Sequence, residues 1–257
     1  MRVLVTGASG QVGHALLACQ PQGVECLAPG SRELDLSQPQ QISQLLGQWR
    51  PELIINAAAY TAVDRAESEP ERAFAINASA VEHLSAAAGA IGARLFQLST
   101  DYVFPGDTGA PLAEDAPCKP LNVYGASKLA GEQAALALGE QALVLRTSWV
   151  FGAHGGNFVK TMLRLGAERQ QLGIVCDQTG GPTPAQAIAQ TLWKLAEMPG
   201  AHGIFHYSGN PPCSWHDFAQ RIFANAVQLG LLMQAPTLSA LTSAEYPTPA
   251  QRPASAI

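Results

Sequence analysis

Arg2-Val3-Leu4-Val5-Thr6, followed by Gly7-Ala8-Ser9-Gly10-Gln11-Val12-Gly13, is the stretch that decides the fold. The first five residues read as an apolar strand. The G-x-x-G-x-x-G spacing between that strand and a helix starting near Gln11 reads as a dinucleotide-binding turn. Gly7 allows the tight turn, Gly10 lets backbone approach a pyrophosphate, and Gly13 lets helix and strand pack closely. The pyrophosphate is expected on the first helical amides, where the helix dipole favours negative charge. Gly7, Gly10, Gln11 and Val12 are therefore candidate cofactor contacts.

Outward from this turn, short apolar runs at 3–6, 24–28, 53–56, 95–99 and 143–147 alternate with helical stretches at 11–19, 40–49, 65–91 and 124–138. That alternation predicts an α/β fold, a Rossmann-type doubly wound parallel sheet covered on both faces. Ligands of such sheets bind beyond the carboxyl ends of the strands. Gly7, Asn56, Thr100 and Thr147 all fall at or near those ends. After Phe151 the pattern changes, with Gly155-Gly156, Gly180-Gly181-Pro182 and Asn210-Pro211-Pro212 interrupting shorter elements. Helices are expected at 157–169, 185–198 and 215–228 and a strand at 203–208. The expected organisation is an NADP(H)-binding domain over 1–150 and a smaller substrate-binding lobe over 151–257, interleaved with the first.

The 257 residues are 47% hydrophobic and 14% charged, enough apolar content for a large core and too much for disorder. A net charge of -5 without a basic block argues against nucleic acid as partner. The five cysteines, Cys19, Cys26, Cys118, Cys176 and Cys213, form no C-x-x-C pair, so neither a disulfide frame nor a zinc site is expected. The chain enters a strand at once and has no apolar run of spanning length. A cytoplasmic protein without a membrane partner is expected.

The second strand runs into Pro29-Gly30-Ser31-Arg32-Glu33. Ser31 and Arg32 suit a phosphate on the adenine ribose, whereas Glu33, about twenty residues past Gly13, is where an NAD-type acid would fall. The balance favours NADPH, with NADH tolerated. Asp35 and Leu36 are expected near the adenine.

Farther along, Ser99-Thr100-Asp101 ends a strand and Tyr124 and Lys128 lie four residues apart on a helix. That spacing puts phenol and ammonium on one helix face. An ammonium beside a phenol is expected to lower the phenol's pKa toward neutrality. Such a tyrosine can protonate a carbonyl oxygen. Asn157, Lys160 and Arg164 fit a diphosphate contact and an ordinary helix surface equally well.

Together these residues resemble the extended short-chain dehydrogenase/reductase superfamily along nearly the whole chain. Narrower stretches are Asn56-Ala57-Ala58-Ala59-Tyr60-Thr61-Ala62-Val63-Asp64, Ser99-Thr100-Asp101-Tyr102-Val103-Phe104 and Arg146-Thr147-Ser148-Trp149-Val150. They resemble the branch that reduces the C4 ketone of dTDP-4-dehydro-6-deoxy-L-mannose to dTDP-L-rhamnose with NADPH. The resemblance implies Thr100, Tyr124 and Lys128 as catalytic triad, with Lys128 also holding the nicotinamide ribose. It implies Asn56, Ala57, Ala58 and Ala59 along the cofactor, and Val63, Asp101 and Trp149 against the sugar. Without it, Trp149 reads equally as a core aromatic, Asp101 as a loop brace and Asn56 as a strand-end hydrogen-bonding residue.

Some members of that branch pair through magnesium held by glutamates. Ala15 and Gln186 stand at the matching positions, and neither is a good ligand for a hard cation. Neither magnesium nor that dimer is expected, leaving a monomer or weak homodimer. The branch continues past the Arg252-Pro253 motif into a further segment, which this sequence does not contain. A sugar-nucleotide dehydratase or epimerase is a competing reading, though Thr100-Asp101-Tyr102 has no glutamate where dehydratases carry one. A non-catalytic NADP-binding regulatory subunit is another.

Overall fold

Leu53-Ile54-Ile55-Asn56 is buried at every position, the pattern of a strand covered on both faces. It lies inside a six-stranded parallel sheet. The structure, a computed structural model, describes residues 1–106 and 112–255. The first half runs β1 (Arg2–Thr6), α1 (Gln11–Ala18), β2 (Glu25–Leu27), α2 (Pro39–Trp49), β3 (Leu53–Asn56), α3 (Val63–Ala66), α4 (Pro70–Phe74), a π-helical segment (Ala75–Ser79) and α5 (Ala80–Ile91). It continues through β4 (Arg94–Thr100), a 3₁₀ turn (Asp101–Val103), α6 (Val123–Leu136) and β5 (Ala142–Thr147).

The second half runs β6 (Val150–Phe151), α7 (Phe158–Glu168), β7 (Gln171–Val175), β8 (Thr179–Gly180), β9 (Thr183–Pro184) and α8 (Ala185–Ala196). Then come β10 (Gly203–His206), β11 (Cys213–Ser214), α9 (Trp215–Gln228) and β12 (Thr237–Leu241).

The sheet order is β10-β5-β4-β3-β1-β2. The chain steps outward from β1 to β2, then crosses to β3 on the other side of β1. A crevice therefore opens at the carboxyl ends of β1 and β3, where such sheets take ligands. One face of the sheet packs on α1 and α8 around Leu16, Ile188, Leu192 and Trp193. The other packs on α2, α5 and α6 around Ile42, Leu46, Leu84 and Ala135. Strands β6–β9 and β7–β12 pair in parallel and β8–β11 antiparallel, and a separate core around Phe218, Phe223, Met162 and Ile174 joins α7 to α9. The last two residues of the expected lobe, 256 and 257, lie outside the described residues.

The structure corrects one expected element. The helix expected over 65–91 is interrupted between α3 and α4, where Glu69 takes a non-helical conformation (φ -126°, ψ 49°). Pro70 sits just inside the new helix, and proline disfavours helical backbone in the residue before it. The strand expected over 203–208 ends at His206 and joins the main sheet beside β5.

Candidate active site

The glycine turn has the geometry its spacing predicts. Gly7 has φ +69°, and a Cβ on Gly13 would fall 2.2 Å from the Gly7 carbonyl oxygen. Only glycines let α1 approach β1 this closely. Beyond the turn lies a cleft of about 570 Å³ lined by Gly7, Gly10, Ser31, Asp35, Leu36, Ala57, Ala58 and Ala59. Ser37, Thr61, Arg72 and Ile76 also line it and were not anticipated. Ser37 continues a loop whose importance was legible. Arg72 and Ile76 arrive through the packing of α4 and the π segment, for which the sequence carries no local signal.

Other candidates lie outside the cleft's lining. The Gln11 side chain donates to the Val150 carbonyl at 3.3 Å and accepts from Asn157 Nδ2 at 3.0 Å. Val12 is buried. Asn56 accepts from Thr6 Oγ1 and from the Ala58 amide and donates to Gln97 Oε1 at 2.6 Å, a buried network beneath the cleft. Arg32 is exposed beside Ser31. The Glu33 carboxylate accepts from the Gly30 amide at 2.8 Å, and Asp35 accepts from Ser37, so both acids are engaged within their own loop.

Thr100, Tyr124 and Lys128 come together at the end of β4. Asn122 caps α6, accepting from the Gly125 amide at 2.7 Å. A Cβ at Gly125 would lie 2.2 Å from the Tyr102 carbonyl oxygen, so this glycine lets the first turn of α6 press against the 3₁₀ turn. The contact sets Tyr124 near Thr100, whose hydroxyl donates to Asp101 Oδ1 at 3.0 Å and accepts from the Tyr102 amide at 3.3 Å. Asn77 of the π segment, also unanticipated, holds Tyr60 by two backbone hydrogen bonds and donates to Ser127 at 2.9 Å. It ties the 57–60 loop to the helix that carries Tyr124.

The electrostatics differ from expectation. Burial pushes the Tyr124 phenol up to about 12, against the Thr100 hydrogen bond and with a further push from Asp101. The ring is partly exposed by area yet densely surrounded near its oxygen. Lys128 does not offset this, because its Nζ donates to the Leu98 carbonyl at 2.6 Å. Burial in turn pushes the Lys128 ammonium down to about 8, with Glu132 opposing. The phenol is thus held protonated, the form a proton donor must have.

Asp101 is buried. Its Oδ1 accepts from Thr100 Oγ1 at 3.0 Å and its Oδ2 has no partner among the described residues. Trp149 follows β5 with φ +44° and stacks on Trp215 at 3.3 Å. Val63 opens α3, and the adjoining Asp64 lines a second cleft of about 590 Å³ with Trp215, Tyr246, Thr248 and Arg252. Arg252 pins this corner, donating to both carboxylate oxygens of Asp64 at 2.7 and 2.8 Å. Ala15 lies partly buried on α1 and Gln186 exposed on α8. A third cavity, about 590 Å³ between Phe151, Leu163, Phe218 and Ile222, lies away from these groups.

A parallel sheet with a glycine turn at its switch point and a Tyr-x-x-x-Lys helix beside it define an oxidoreductase of the short-chain dehydrogenase/reductase class. The family model for the RmlD substrate binding domain matches residues 1–257, and the chain belongs to that family. It is 44% identical over 260 residues to a dTDP-4-dehydrorhamnose reductase of Aggregatibacter actinomycetemcomitans, covering 98% of this chain and 88% of the relative. The crystal structure of a dTDP-4-dehydrorhamnose reductase from Clostridium acetobutylicum superposes with a TM-score of 0.94 at 36% identity, covering 100% and 89% of the two chains. That of the Bacillus anthracis reductase in complex with NADP gives 0.93 at 38%, covering 99% and 88%.

Proposed function

We propose that this protein reduces the C4 ketone of dTDP-4-dehydro-6-deoxy-L-mannose to dTDP-L-rhamnose with NADPH. The observation that carries the reading is the placing of Tyr124 and Lys128 on α6 against the end of β4, where Thr100 lies, at the mouth of the sheet's crevice. A relative 38% identical was crystallised with NADP, and the cleft over Gly7 and Gly10 suits such a dinucleotide. Glu33 is occupied by the Gly30 amide and leaves Ser31 and Arg32 as the phosphate-facing pair, which favours NADPH over NADH. Reduced nicotinamide supplies the hydride when bound.

The chain's own residues do the rest. Tyr124 donates its proton to the C4 oxygen as charge develops there. Thr100 donates a hydrogen bond to the same oxygen. Lys128, still charged at neutral pH, holds the nicotinamide ribose. Asp101, Val63 and Trp149 face the sugar. Residues 1–150 carry the cofactor and 151–257 the substrate lobe, with β10 and α8 returning to the first sheet. Among the described residues no helix is long and apolar enough to cross a membrane, and the protein is proposed to act in the cytoplasm as a monomer or weak homodimer.

The test follows NADPH absorbance with dTDP-4-dehydro-6-deoxy-L-mannose, using UDP- and GDP-linked ketosugars as controls. Stoichiometric oxidation with the dTDP sugar is expected. A product formed without net cofactor consumption would instead mark a dehydratase or epimerase.

A further inference from the structure

Residues 248–255 run outside every helix and strand, yet Ala250 and Pro253 within them are buried. Their contacts fall next to residues of the site. The Ala250 amide donates to Asp64 Oδ1 at 3.2 Å, and the Arg252 guanidinium grips both oxygens of the same carboxylate. Asp64 follows Val63 at the start of α3. The Gln251 carbonyl accepts from Asn122 Nδ2 at 2.7 Å, and Asn122 caps α6 two residues before Tyr124. The Ser255 amide donates to the Gly106 carbonyl at 3.0 Å, and a Cβ on Gly106 would lie 2.3 Å from Pro253 Cβ. Gly106 lies just past the 3₁₀ turn that opens with Asp101. The Ala254 carbonyl accepts from the Thr179 amide at 2.9 Å. Thr179 precedes Gly180, where a Cβ would fall 2.3 Å from the Trp149 ring. One stretch of backbone thus touches the neighbours of Val63, Tyr124, Asp101 and Trp149, from both halves of the chain.

Arg252 fastens this stretch. Besides Asp64, its guanidinium donates to Thr248 Oγ1 at 2.9 Å and to the Ala250 carbonyl at 2.7 Å, closing the segment on itself. A planar fork on a carboxylate fixes angle as well as distance, which a lysine ammonium does not. The two side chains are 19% and 41% exposed, and ion pairs open to solvent add little to folding stability. The pair's effect is therefore on geometry. We propose that Arg252 is a positioning residue for the ketosugar: through Asp64 it holds 250–255 as a strap that keeps the substrate lobe in register with Tyr124. Transfer of hydride and proton needs the reacting atoms nearly in contact, and a displacement of about 1 Å can cost about a hundredfold in rate. Asp64, Asn122, Gly106 and Thr179, the residues the strap bonds, are not among those lining the cofactor cleft, so its loosening spares NADPH binding. The inference rests on the ketone-reduction reading and adds what sets the sugar's place over the phenol.

The experiment compares Arg252→Gln, Asp64→Asn and the double variant in the full chain. It reads kcat and KM with dTDP-4-dehydro-6-deoxy-L-mannose, and the Kd of NADPH by nucleotide fluorescence. Each single substitution should lower kcat by about ten-fold or more, with the Kd of NADPH unchanged. The double variant should be no slower than the slower single, because both substitutions break one contact. Arg252→Lys, which keeps the charge without the fork, should recover part of the loss. Four outcomes overturn the inference: unchanged kcat in both singles, a slow Arg252→Gln beside a normal Asp64→Asn, losses that multiply in the double, or a kcat loss matched by weaker NADPH binding. The second would mean that Arg252 meets the substrate directly, and the last that the fold is generally disturbed. Asp64→Asn keeps the side chain's shape at a half-exposed position and decides the matter even where Arg252→Gln fails to fold. An unsubstituted chain that reduces no ketosugar would sink the proposed function instead, a distinguishable result.

Discussion

Arg146 and Glu132 meet through two parallel hydrogen bonds, Nε to Oε1 at 2.9 Å and Nη2 to Oε2 at 2.7 Å, with side chains 2% and 1% exposed. Arg146 belongs to β5, and Glu132 lies one turn beyond Lys128 on α6. The pair therefore sets how the helix bearing Tyr124 and Lys128 sits against the sheet. Its other contacts include the Glu114 carbonyl at 3.0 Å, His206 Nε2 at 3.3 Å, Cys118 Sγ at 3.3 Å and the ring of Phe104. Removing one partner of such a pair strands a buried charge. Arg146→Met should cost about 3–5 kcal/mol in urea unfolding, and Arg146→Met with Glu132→Leu should recover most of it. A single variant as stable as the unsubstituted chain would show that the pair does not order this region.

Tyr124→Phe keeps the ring and deletes the proposed proton source. Turnover should fall by about 100- to 1,000-fold, the usual loss when one donor to a developing oxyanion is removed. Binding of NADPH, followed by nucleotide fluorescence, should be unchanged. Wild-type turnover by this variant would remove Tyr124 from the mechanism.

Lys128 gives the reaction an alkaline limit. Its ammonium is pushed down to about 8, and the charged form is the one proposed to hold the nicotinamide ribose. The charge is present below pH 8 and lost above it, so kcat/KM should decline as pH rises past that value. Lys128→Met should be slow throughout and lack this limb. A profile flat to pH 10 would contradict the assignment.

Asp101 ties stability to pH. Its native pKa, raised to about 7, exceeds the ordinary carboxyl value, so the folded chain holds this proton more tightly than the unfolded one. The resulting stabilisation is full below pH 4 and is lost as pH climbs through 7, by at most about 4 kcal/mol. Urea midpoints of Asp101→Asn against the unsubstituted chain, taken from pH 4 to 8, should converge on a smaller slope for the variant. Parallel curves would place an ordinary, ionised carboxylate at this position.

Arg32 is exposed and follows Ser31, which lines the cleft. Arg32→Ala should raise KM for NADPH far more than for NADH, because only NADPH carries the ribose phosphate. Equal effects on both cofactors would leave the phosphate contact unassigned.

Much of the frame was legible because its signals are local. The run Leu53–Asn56 reads as a strand from its own apolar residues, and α9 was expected over 215–228, the bounds it adopts. The glycine turn declares itself because no other residue fits its backbone. Pro70 was also in plain view as the reason α3 and α4 are separate, yet the alanine-rich run around it reads as continuous helix. Arg72, Ile76 and Asn77 had no such signal. Their place at the site depends on how the π segment packs against the 57–60 loop and α6.

By itself, the order of residues determined the parallel α/β sheet, the glycine turn and the placing of Tyr124 and Lys128 on one helix face, since each rests on spacing within one element or on the alternation of elements. Tertiary structure decided what those groups are electrostatically. Whether Lys128 faces a phenol or the Leu98 carbonyl, and whether Asp101 has a cation beside it or none, depends on elements far apart in the chain meeting in one buried place. Desolvation and hydrogen bonding, which set the protonation of both, act only once that place exists.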